Sequence, residues 1–277
     1  MGIDMRGFKN FWSEDGLRDK FLLGFFLLIF ILTVAFFAAL IISTIIQART
    51  SASVTGISKN EIFFAVKLTF VTAFLSSALA VLVSVPVAYI LSRYKFPLKN
   101  VMETLLFIPI VTPPVALGAM LLMFFKTPLG EFFENHFFGV VYEVPGLILA
   151  QGVVVFGIAV NVIKIVFDSV GSEYEEIART LGATKIQAFF KVLLPLSKKG
   201  IIAAFFLAFA RAIGEFGASV MLAGATTMKT ETLPIAIFLN FSSADVRGAC
   251  VFTLISLGVS LGALFFIKHY AENRKPL

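Results

Sequence analysis

The chain has 277 residues, of which 58% are hydrophobic and 14% are charged, and its mean hydropathy is +0.94. Soluble globular chains are about 45–50% apolar and about 25% charged, so this composition argues against a soluble enzyme. Intrinsic disorder is excluded because disordered chains are poor in apolar residues. We attribute the net charge of +6 to membrane topology rather than to nucleic-acid binding, since basic residues collect in cytoplasmic loops of membrane proteins.

Six segments are long and apolar enough to span a bilayer, which requires about 20 mostly apolar residues. They are residues 21–46, 68–91 (with a helix beginning near Glu61), 104–125, 147–163, 200–223 and 249–267. A β-barrel would instead show alternating segments of about ten residues. The sequence therefore predicts an all-α polytopic membrane protein with six transmembrane helices. We expect the first helix to be retained, because it is too long for a cleaved signal peptide.

Lysine and arginine are distributed unequally between the two sides of these predicted helices. Sixteen fall in residues 1–20, 92–100, 164–199 and 268–277, whereas five fall on the other side. Cytoplasmic loops carry the excess of basic residues. We therefore expect a multi-pass protein of the plasma or inner membrane, with a cytoplasmic N-terminal segment (1–20) and a cytoplasmic tail (268–277).

Two apolar segments on the outer side are unlike simple loops. Residues 126–146 carry four phenylalanines among glutamates, which predicts a short amphipathic helix at the outer interface. Residues 233–241 are too few to span, so we expect a short interfacial or re-entrant helix. The phenylalanines are Phe132, Phe133, Phe137 and Phe138, and the prolines that predict kinks in the second and third spans are Pro86, Pro109, Pro113 and Pro114.

Few residues suit metal, disulfide or nucleotide chemistry. Cys250 is the single cysteine, so neither an intramolecular disulfide nor a cysteine-based metal site can form. The histidines, His136 and His269, are far apart and lack the H-E-x-x-H spacing. The phosphate-binding pattern G-x-x-x-x-G-K-[ST] is absent, because no glycine is followed by lysine. If ATP drives this protein, we expect another chain to hydrolyse it.

The longest predicted cytoplasmic connection is the loop 170–199. Ser172 and Glu175 form the S-x-x-E pattern of a capping box at a helix start. Gly182 predicts a turn between two short helices. Pro195 is expected to end or kink the second helix.

This loop also carries apolar residues that a solvated loop has little reason to present. Ile177 and Leu181 are four residues apart and share a helical face, as do Ile186 and Phe190. Such faces pack against the protein's own helices, lie at the lipid interface, or dock into a groove of a partner. The pattern alone leaves these alternatives open.

The same loop resembles the signature of the permease subunits of ABC importers, E-A-A-x-x-x-G-x9-I-x-L-P. Glu176-Ile177-Ala178, Gly182, Val192 and Leu194-Pro195 stand at its spacing, with Ile177 and Val192 in place of Ala and Ile. The resemblance implies that this loop forms a coupling helix that sits in a cleft of the ATP-binding subunit. The residues that we assign to docking on this basis are Glu176, Ile177, Ala178, Leu181, Gly182, Ala183, Ile186, Phe189, Phe190, Leu194 and Pro195.

A second resemblance concerns the subfamily. Residues 209–218 read FARAIGEFGA and are similar to a segment of sulfate, molybdate and tungstate permeases, and IPIVTPPVALG at 108–118 resembles their third helix. The resemblance covers roughly residues 60–267 and implies a fold like that of type I ABC importer permeases. We expect a five-helix permease core over 60–267, including the loop 170–199, preceded by the helix at 21–46.

Three charged residues lie within predicted spans. Arg211 and Glu215 are four residues apart on the fifth span and can meet on one face. Because a lone charge in hydrocarbon is costly, they either line or gate an anion path, or form a neutralised pair that fixes helix packing. Lys67, near the outer end of the second span, either extends to the interface or attracts an entering oxyanion.

The resemblance implies a permease subunit of an ATP-driven importer for a tetrahedral oxyanion. We expect molybdate or tungstate as cargo, with sulfate or thiosulfate as the alternative. A distant alternative is a secondary anion transporter or channel, which would need several ionisable groups of its own within the membrane. The implied partners are two ATP-binding cassette subunits holding ATP and Mg, a second copy of the chain, an extracytoplasmic oxyanion-binding protein and the lipid bilayer. We expect no nucleic-acid partner, no catalysis and no cofactor or metal on this chain.

Overall fold

The computed structural model describes residues 17–51, 56, 58–136 and 139–272. Two units make up the chain, Met1–Ser51 and Ala52–Leu277. The predictions for residues 1–16, for Phe137 and Phe138 and for residues 273–277 lie outside the described residues.

The first unit contributes one long helix, α1 (Leu17–Thr50), which extends the predicted span 21–46 at both ends. Its sequence is apolar around the whole circumference, as expected for a helix surrounded by lipid or other apolar surface. The hydroxyls of Thr33 and Thr44 donate to the carbonyls of Ile29 and Leu40 in the preceding turn. These polar side chains are thereby satisfied within the helix, as hydrocarbon requires.

The described part of the second unit is also helical. Its elements are α2 (Lys59–Arg93), α3 (Lys99–Val111), α4 (Pro114–Phe125), α5 (Pro128–His136), α6 (Val144–Val170), α7 (Glu173–Thr180), α8 (Lys185–Ala188), a π-helical turn (Phe189–Leu193), α9 (Leu194–Ile213), α10 (Gly217–Ala223), α11 (Leu233–Ser242) and α12 (Val246–Glu272). Among the described residues of both units, five helical stretches are long and apolar enough to span a membrane, α1 and four in the second unit, and α3 with α4 makes a sixth if this bent pair is one span. Each of the six predicted spans thus coincides with helical structure, and the third is the bent pair.

Proline determines the shape of the third span. α3 and α4 meet at 114° rather than forming one kinked helix. Thr112 is extended (φ −78°, ψ 134°), the conformation favoured before a proline, and Pro113 and Pro114 offer no N–H to continue the helix. Pro86 and Pro109, by contrast, lie inside continuous helices.

The fifth predicted span, 200–223, is also broken. α9 ends at Ile213, residues 214–216 are not helical, and α10 begins at Gly217. A Cβ on Gly217 would lie 2.9 Å from Cγ2 of Val115, so glycine allows α10 to approach α4 closely.

The core of the second unit is built around α6. This helix packs against α2, α3, α9 and α10, and its side chains enter four separate core clusters. Ala150, Val155, Ile163 and Phe167 on α6 are completely buried. Any movement of α6 is therefore shared with the helices packed against it.

Both short helices predicted between the spans form. α5 forms within 126–146. The carboxylate of Glu134, in the second half of α5, accepts the N–H groups of Val140 and Val141. α11 covers 233–241 and is buried against α2 and α12 at its start. There the Leu233 N–H donates to the Thr69 hydroxyl at 2.8 Å.

Candidate docking loop and membrane-embedded ion pair

Residues 171–193 form a helix–turn–helix segment at the end of the bundle where α2 and α6 terminate; we call this segment the docking loop. Gly182 has φ +92°, a conformation that glycine adopts with little strain, and it separates α7 from α8. The predicted turn is therefore confirmed.

The predicted capping box at Ser172 and Glu175 is wrong. The Ser172 side chain makes no capping hydrogen bond, and Glu175 is turned toward α2 instead, where an arginine holds it. A capping box does form at Thr184 and Gln187, which start α8. The T-x-x-Q pattern was present in the sequence and could have revealed it.

One side of the docking loop exposes large apolar side chains. Leu181 is 84% exposed, Ile186 71%, Phe190 60% and Ile177 58%. Glu176 is exposed between them. Exposed apolar side chains grouped in this way mark an interaction surface. We call these five residues the docking face.

Other residues predicted to dock are placed differently. Ala178, Ala183 and Leu194 are half-buried, whereas Gly182 and Pro195 are exposed. Phe189 turns into the core, with its ring centroid 4.8 Å from that of Tyr89 and 6.5 Å from that of Phe167. Phe189 therefore anchors the loop.

Pro195 does not end the helix that contains it. The chain remains helical from Lys185 to Ile213, and the π-helical turn lies just before the proline, with the Leu194 N–H bonded to the Phe189 carbonyl. Proline disrupts the regular hydrogen bond to the residue four positions earlier, and the wider turn accommodates that loss.

Charged side chains lie beneath the docking loop. Arg93 Nε, at the end of α2, is 2.5 Å from Glu175 Oε2, and Arg93 Nη2 donates to the Gly171 carbonyl at 3.1 Å. Arg93 Nη1 also donates to the Ser92 hydroxyl, which donates in turn to Asp168 on α6. Our sequence reasoning missed these contacts, because it counted Arg93 only as a topological charge.

The same group of charges continues to α3. Lys164 Nζ on α6 lies 3.5 Å from Asp168 Oδ2 and 3.1 Å from Glu103 Oε1. Side chains of α2, α3, α6 and α7 are therefore connected in one chain of polar contacts. We call this set, Arg93, Glu175, Ser92, Asp168, Lys164 and Glu103, the ionic latch.

Arg211 and Glu215 form the predicted ion pair. Arg211 Nη1 lies 2.7 Å from Glu215 Oε2, and the other carboxylate oxygen accepts the Ala218 N–H at 2.9 Å. The Glu215 side chain is 1% exposed and that of Arg211 is 37% exposed. Glu215 thus neutralises the arginine and caps the start of α10, across the break in the fifth span.

The structure does not bring Lys67 into this pair. Lys67 is exposed on α2, on the same helical face as the exposed rings of Phe63 and Phe70. Within the described residues, it forms no ion pair with Glu215.

Two further acidic groups lie at the opposite end of the bundle from the docking loop. Glu231 is 1% exposed, and one of its carboxylate oxygens accepts the Met228 N–H at 2.9 Å. Burial raises the pKa of Glu231 above its ordinary value, and the nearby Glu61 carboxylate raises it further. Glu143 pairs instead with Lys229, at 2.5 Å and with both side chains 46% exposed.

Comparison with known proteins identifies the family. Residues 80–275 match the model of the family described as the inner membrane component of binding-protein-dependent transport systems. The chain belongs to this family of permeases. The permease is 35% identical over 239 residues to a probable molybdenum ABC transporter permease of Haloferax volcanii. This alignment covers 84% of each of the two chains. It is 32% identical over 214 residues to the sulfate transport system permease CysT of Salmonella typhimurium, covering 76% of the permease and 77% of its relative.

A solved structure supports the fold of the permease. One chain of a bacterial alginate ABC transporter, solved in complex with an alginate pentasaccharide-bound periplasmic protein, aligns with a TM-score of 0.73. The alignment covers 92% of the permease and 95% of that chain, at 18% identity. At this identity the likeness establishes the fold alone, which is that of an ABC importer permease.

Proposed function

We propose that this permease forms the membrane pathway of an ABC importer for a tetrahedral oxyanion, with ATP hydrolysed by separate subunits docked on the loop. The observation that carries the proposal is the docking face, in a chain that matches the permease family over residues 80–275. Apolar side chains at helical spacing suit a groove on another protein. The permease itself makes and breaks no covalent bond, and ATP and Mg belong to the docked subunits.

Molybdate or tungstate is the proposed cargo. The Haloferax relative is named for molybdenum and the Salmonella relative for sulfate, so both names support a tetrahedral dianion. Sulfate or thiosulfate is the alternative. A separate extracytoplasmic binding protein would deliver the anion, and two copies of the permease would enclose its path.

Transport follows from a bundle with two arrangements. The docked subunits favour one arrangement while ATP is bound and allow the other after hydrolysis. The equilibrium between the two arrangements therefore shifts without any chemistry in the permease. We assign the ion pair of Arg211 and Glu215 a role in helix packing rather than in the anion path. Both carboxylate oxygens of Glu215 are already occupied, one by Arg211 and the other by the Ala218 N–H at the start of α10. We infer from the lysine and arginine bias that the docking loop and both termini are cytoplasmic.

Co-purification tests the proposal. The tagged permease is co-expressed with its candidate ATP-binding subunit, and wild type is compared with Leu181→Asp, which puts a charge on an 84% exposed apolar position. We expect stable assembly in the wild type and its loss in the variant. Leu129→Asp is the matched control. It changes a leucine that is 58% exposed at the opposite end, in the first turn of α5, where an acidic side chain suits the helix dipole.

If wild type and Leu181→Asp recover equal amounts of the ATP-binding subunit, that subunit does not bind at the docking face. If the wild type binds no ATP-binding subunit, the importer proposal fails and the secondary-transporter alternative takes its place. Uptake of radiolabelled molybdate by the assembled complex, with sulfate as competitor, then tests the cargo.

A further inference from the structure

We propose that the ionic latch transmits movement of the docking loop to the membrane-spanning helices, with Arg93 and Glu175 as its positioning residues. This inference rests on the proposed function, because it assigns a mechanical role to the base of the loop on which an ATP-binding subunit would act.

The loop end of the latch is largely withdrawn from water. The side chains of Arg93 and Glu175 are 11% and 9% exposed, and they meet through a charge-assisted hydrogen bond. Arg93 also holds the Gly171 carbonyl, at the residue where the chain leaves α6 with φ +70°. One guanidinium thus fixes both the exit from α6 and the first turn of α7.

The other end of the latch reaches two further membrane helices. The Ser92 hydroxyl connects Arg93 to Asp168 near the end of α6, and Lys164 connects Asp168 to Glu103 near the start of α3. Lys164 and Glu103 each retain 22% exposure, so this part of the latch is only partly screened by solvent. A displacement of α7 therefore acts on the ends of α2, α6 and α3 together.

The docking loop meets the end of α2 through side chains. A cavity of about 140 Å³ lies between them, lined by Tyr89, Arg93, Glu175 and Arg179 among others. Around this cavity, Tyr89 contacts the Phe189 ring and Lys185 lies 5.6 Å from the centre of the Tyr94 ring. The contact between Arg93 and Glu175, both of which line this cavity, joins α7 to α2.

The side chains of α7 point in two directions, toward the core and toward the docking face. Glu175 faces inward and is buried, whereas its neighbours Glu176 and Ile177 face outward on the docking face. A subunit bound to the docking face would press on the same helical turn that the latch holds. The latch is therefore placed between the site of force and the helices that must move.

A double substitution separates transmission from simple bracing. Removing one partner of a buried pair is strongly destabilising, whereas replacing both partners by apolar residues is often neutral. We therefore expect Glu175→Gln to lower the unfolding temperature and Arg93→Met/Glu175→Met to recover it. The double variant still lacks the ionic link, so we expect molybdate uptake per ATP hydrolysed to fall about fivefold or more, the low end for coupling between sites.

The measurement uses purified permease assembled with its ATP-binding subunits and binding protein in proteoliposomes. Uptake and ATP hydrolysis are recorded on the same vesicles. Ser92→Ala is a milder second variant that interrupts the latch without changing any charge, and its ratio of uptake to hydrolysis is expected to fall in the same direction. Lys229→Met/Glu143→Met applies the same substitutions to the exposed pair at the opposite end, and its ratio is expected to stay at the wild-type value.

The Arg93→Met/Glu175→Met variant could recover both the unfolding temperature and the wild-type ratio of molybdate uptake to ATP hydrolysis. That result would show that the ionic latch only stabilises the fold and does not transmit movement. That result would leave the proposed function intact. A wild-type complex that hydrolyses ATP without any uptake would instead overturn both proposals, so the two failures are distinguishable.

Discussion

At the scale of single residues, the most informative side chains are acidic groups that the fold has withdrawn from water. Glu175, Glu215 and Glu231 are each at least nine-tenths buried, and each is compensated differently. Glu175 has an arginine, and Glu215 has an arginine and a backbone N–H, whereas Glu231 has a backbone N–H and a neighbouring carboxylate. Of these three carboxylates, Glu231 is the one held by a backbone N–H beside another acid rather than by an arginine.

Glu231→Gln is expected to change how stability depends on pH. The raised pKa of Glu231 means that the folded chain retains a proton that the unfolded chain releases, in the range above the ordinary glutamate pKa of about 4.3. Stability contributed by this group therefore falls as pH rises through that range. Glutamine cannot ionise and can still accept the Met228 N–H, so the variant removes this slope and is more stable above it.

Unfolding temperature of the detergent-solubilised permease, measured from about pH 5 to about pH 8, checks this expectation. Glu143→Gln, at the exposed pair with Lys229, is the control and is expected to keep the wild-type slope. An unchanged slope in Glu231→Gln would mean that the carboxyl is already ionised in the fold.

The pair of Arg211 and Glu215 permits a second test at this scale. Arg211→Met leaves Glu215 buried without its cation, which costs less than the about 3–5 kcal/mol of a fully buried pair because Arg211 is 37% exposed. Arg211→Met/Glu215→Gln removes both charges and retains an acceptor for the Ala218 N–H. We expect the single variant to lower the unfolding temperature, and the double variant to restore it with near wild-type uptake per assembled complex.

Loss of uptake in a stable, assembled Arg211→Met/Glu215→Gln complex would contradict the packing assignment. The charges would then belong to the anion path. Leu129→Asp is a suitable reference for expression and membrane insertion, because it lies far from the pair along the chain.

At the scale of elements, the breaks in the third and fifth spans determine how the helices pack. α10 approaches α4 so closely that a Cβ on Gly217 would lie 2.9 Å from the Val115 side chain and 3.0 Å from its backbone nitrogen. Gly214, three residues earlier, faces open space. The two glycines thus form a natural pair for comparison.

Gly217→Ala is expected to destabilise the permease by about 1–3 kcal/mol, the cost of overpacking a filled contact. Gly214→Ala is the matched control and is expected to stay close to wild type, because an added methyl meets nothing within 4 Å. Thermal unfolding in detergent measures both. Equal unfolding temperatures for the two variants would show that α10 and α4 separate readily.

The sequence predicted these elements unevenly, for physical reasons. Apolar runs located every span, and Gly182 located the turn in the docking loop, because length and backbone freedom are local properties. The break at residues 214–216 was missed because the apolar run continues through it, and the sequence analysis treated Glu215 only as an ion-pair partner and not as a residue that accepts the Ala218 N–H at the start of α10. The true partner of Glu175 was missed because Arg93 is distant in sequence.

At the scale of the whole molecule, the family and the fold agree with the predicted importer permease, and its orientation in the membrane is open to a direct test. Cys250 is the single cysteine and is buried, so Cys250→Ala gives a background without thiols. In this background, Leu181→Cys reports on the docking loop and Leu129→Cys reports on the opposite end.

A membrane-impermeant maleimide applied to intact cells is expected to label Leu129→Cys and to spare Leu181→Cys. Inverted vesicles are expected to show the opposite pattern, since we propose from the bias of basic residues that the docking loop is cytoplasmic. Labelling of Leu181→Cys from outside intact cells would reverse the proposed topology.

The unequal burial of the two groups of ion pairs has a consequence for ionic strength. Mobile ions screen exposed charges strongly and buried charges weakly. The pair of Lys229 and Glu143, with 46% of each side chain exposed, is therefore expected to weaken as salt is added, whereas the pair of Arg93 and Glu175 is expected to change little. Added salt is therefore expected to weaken contacts at the end of the bundle opposite the docking loop more than those that join the docking loop to α2.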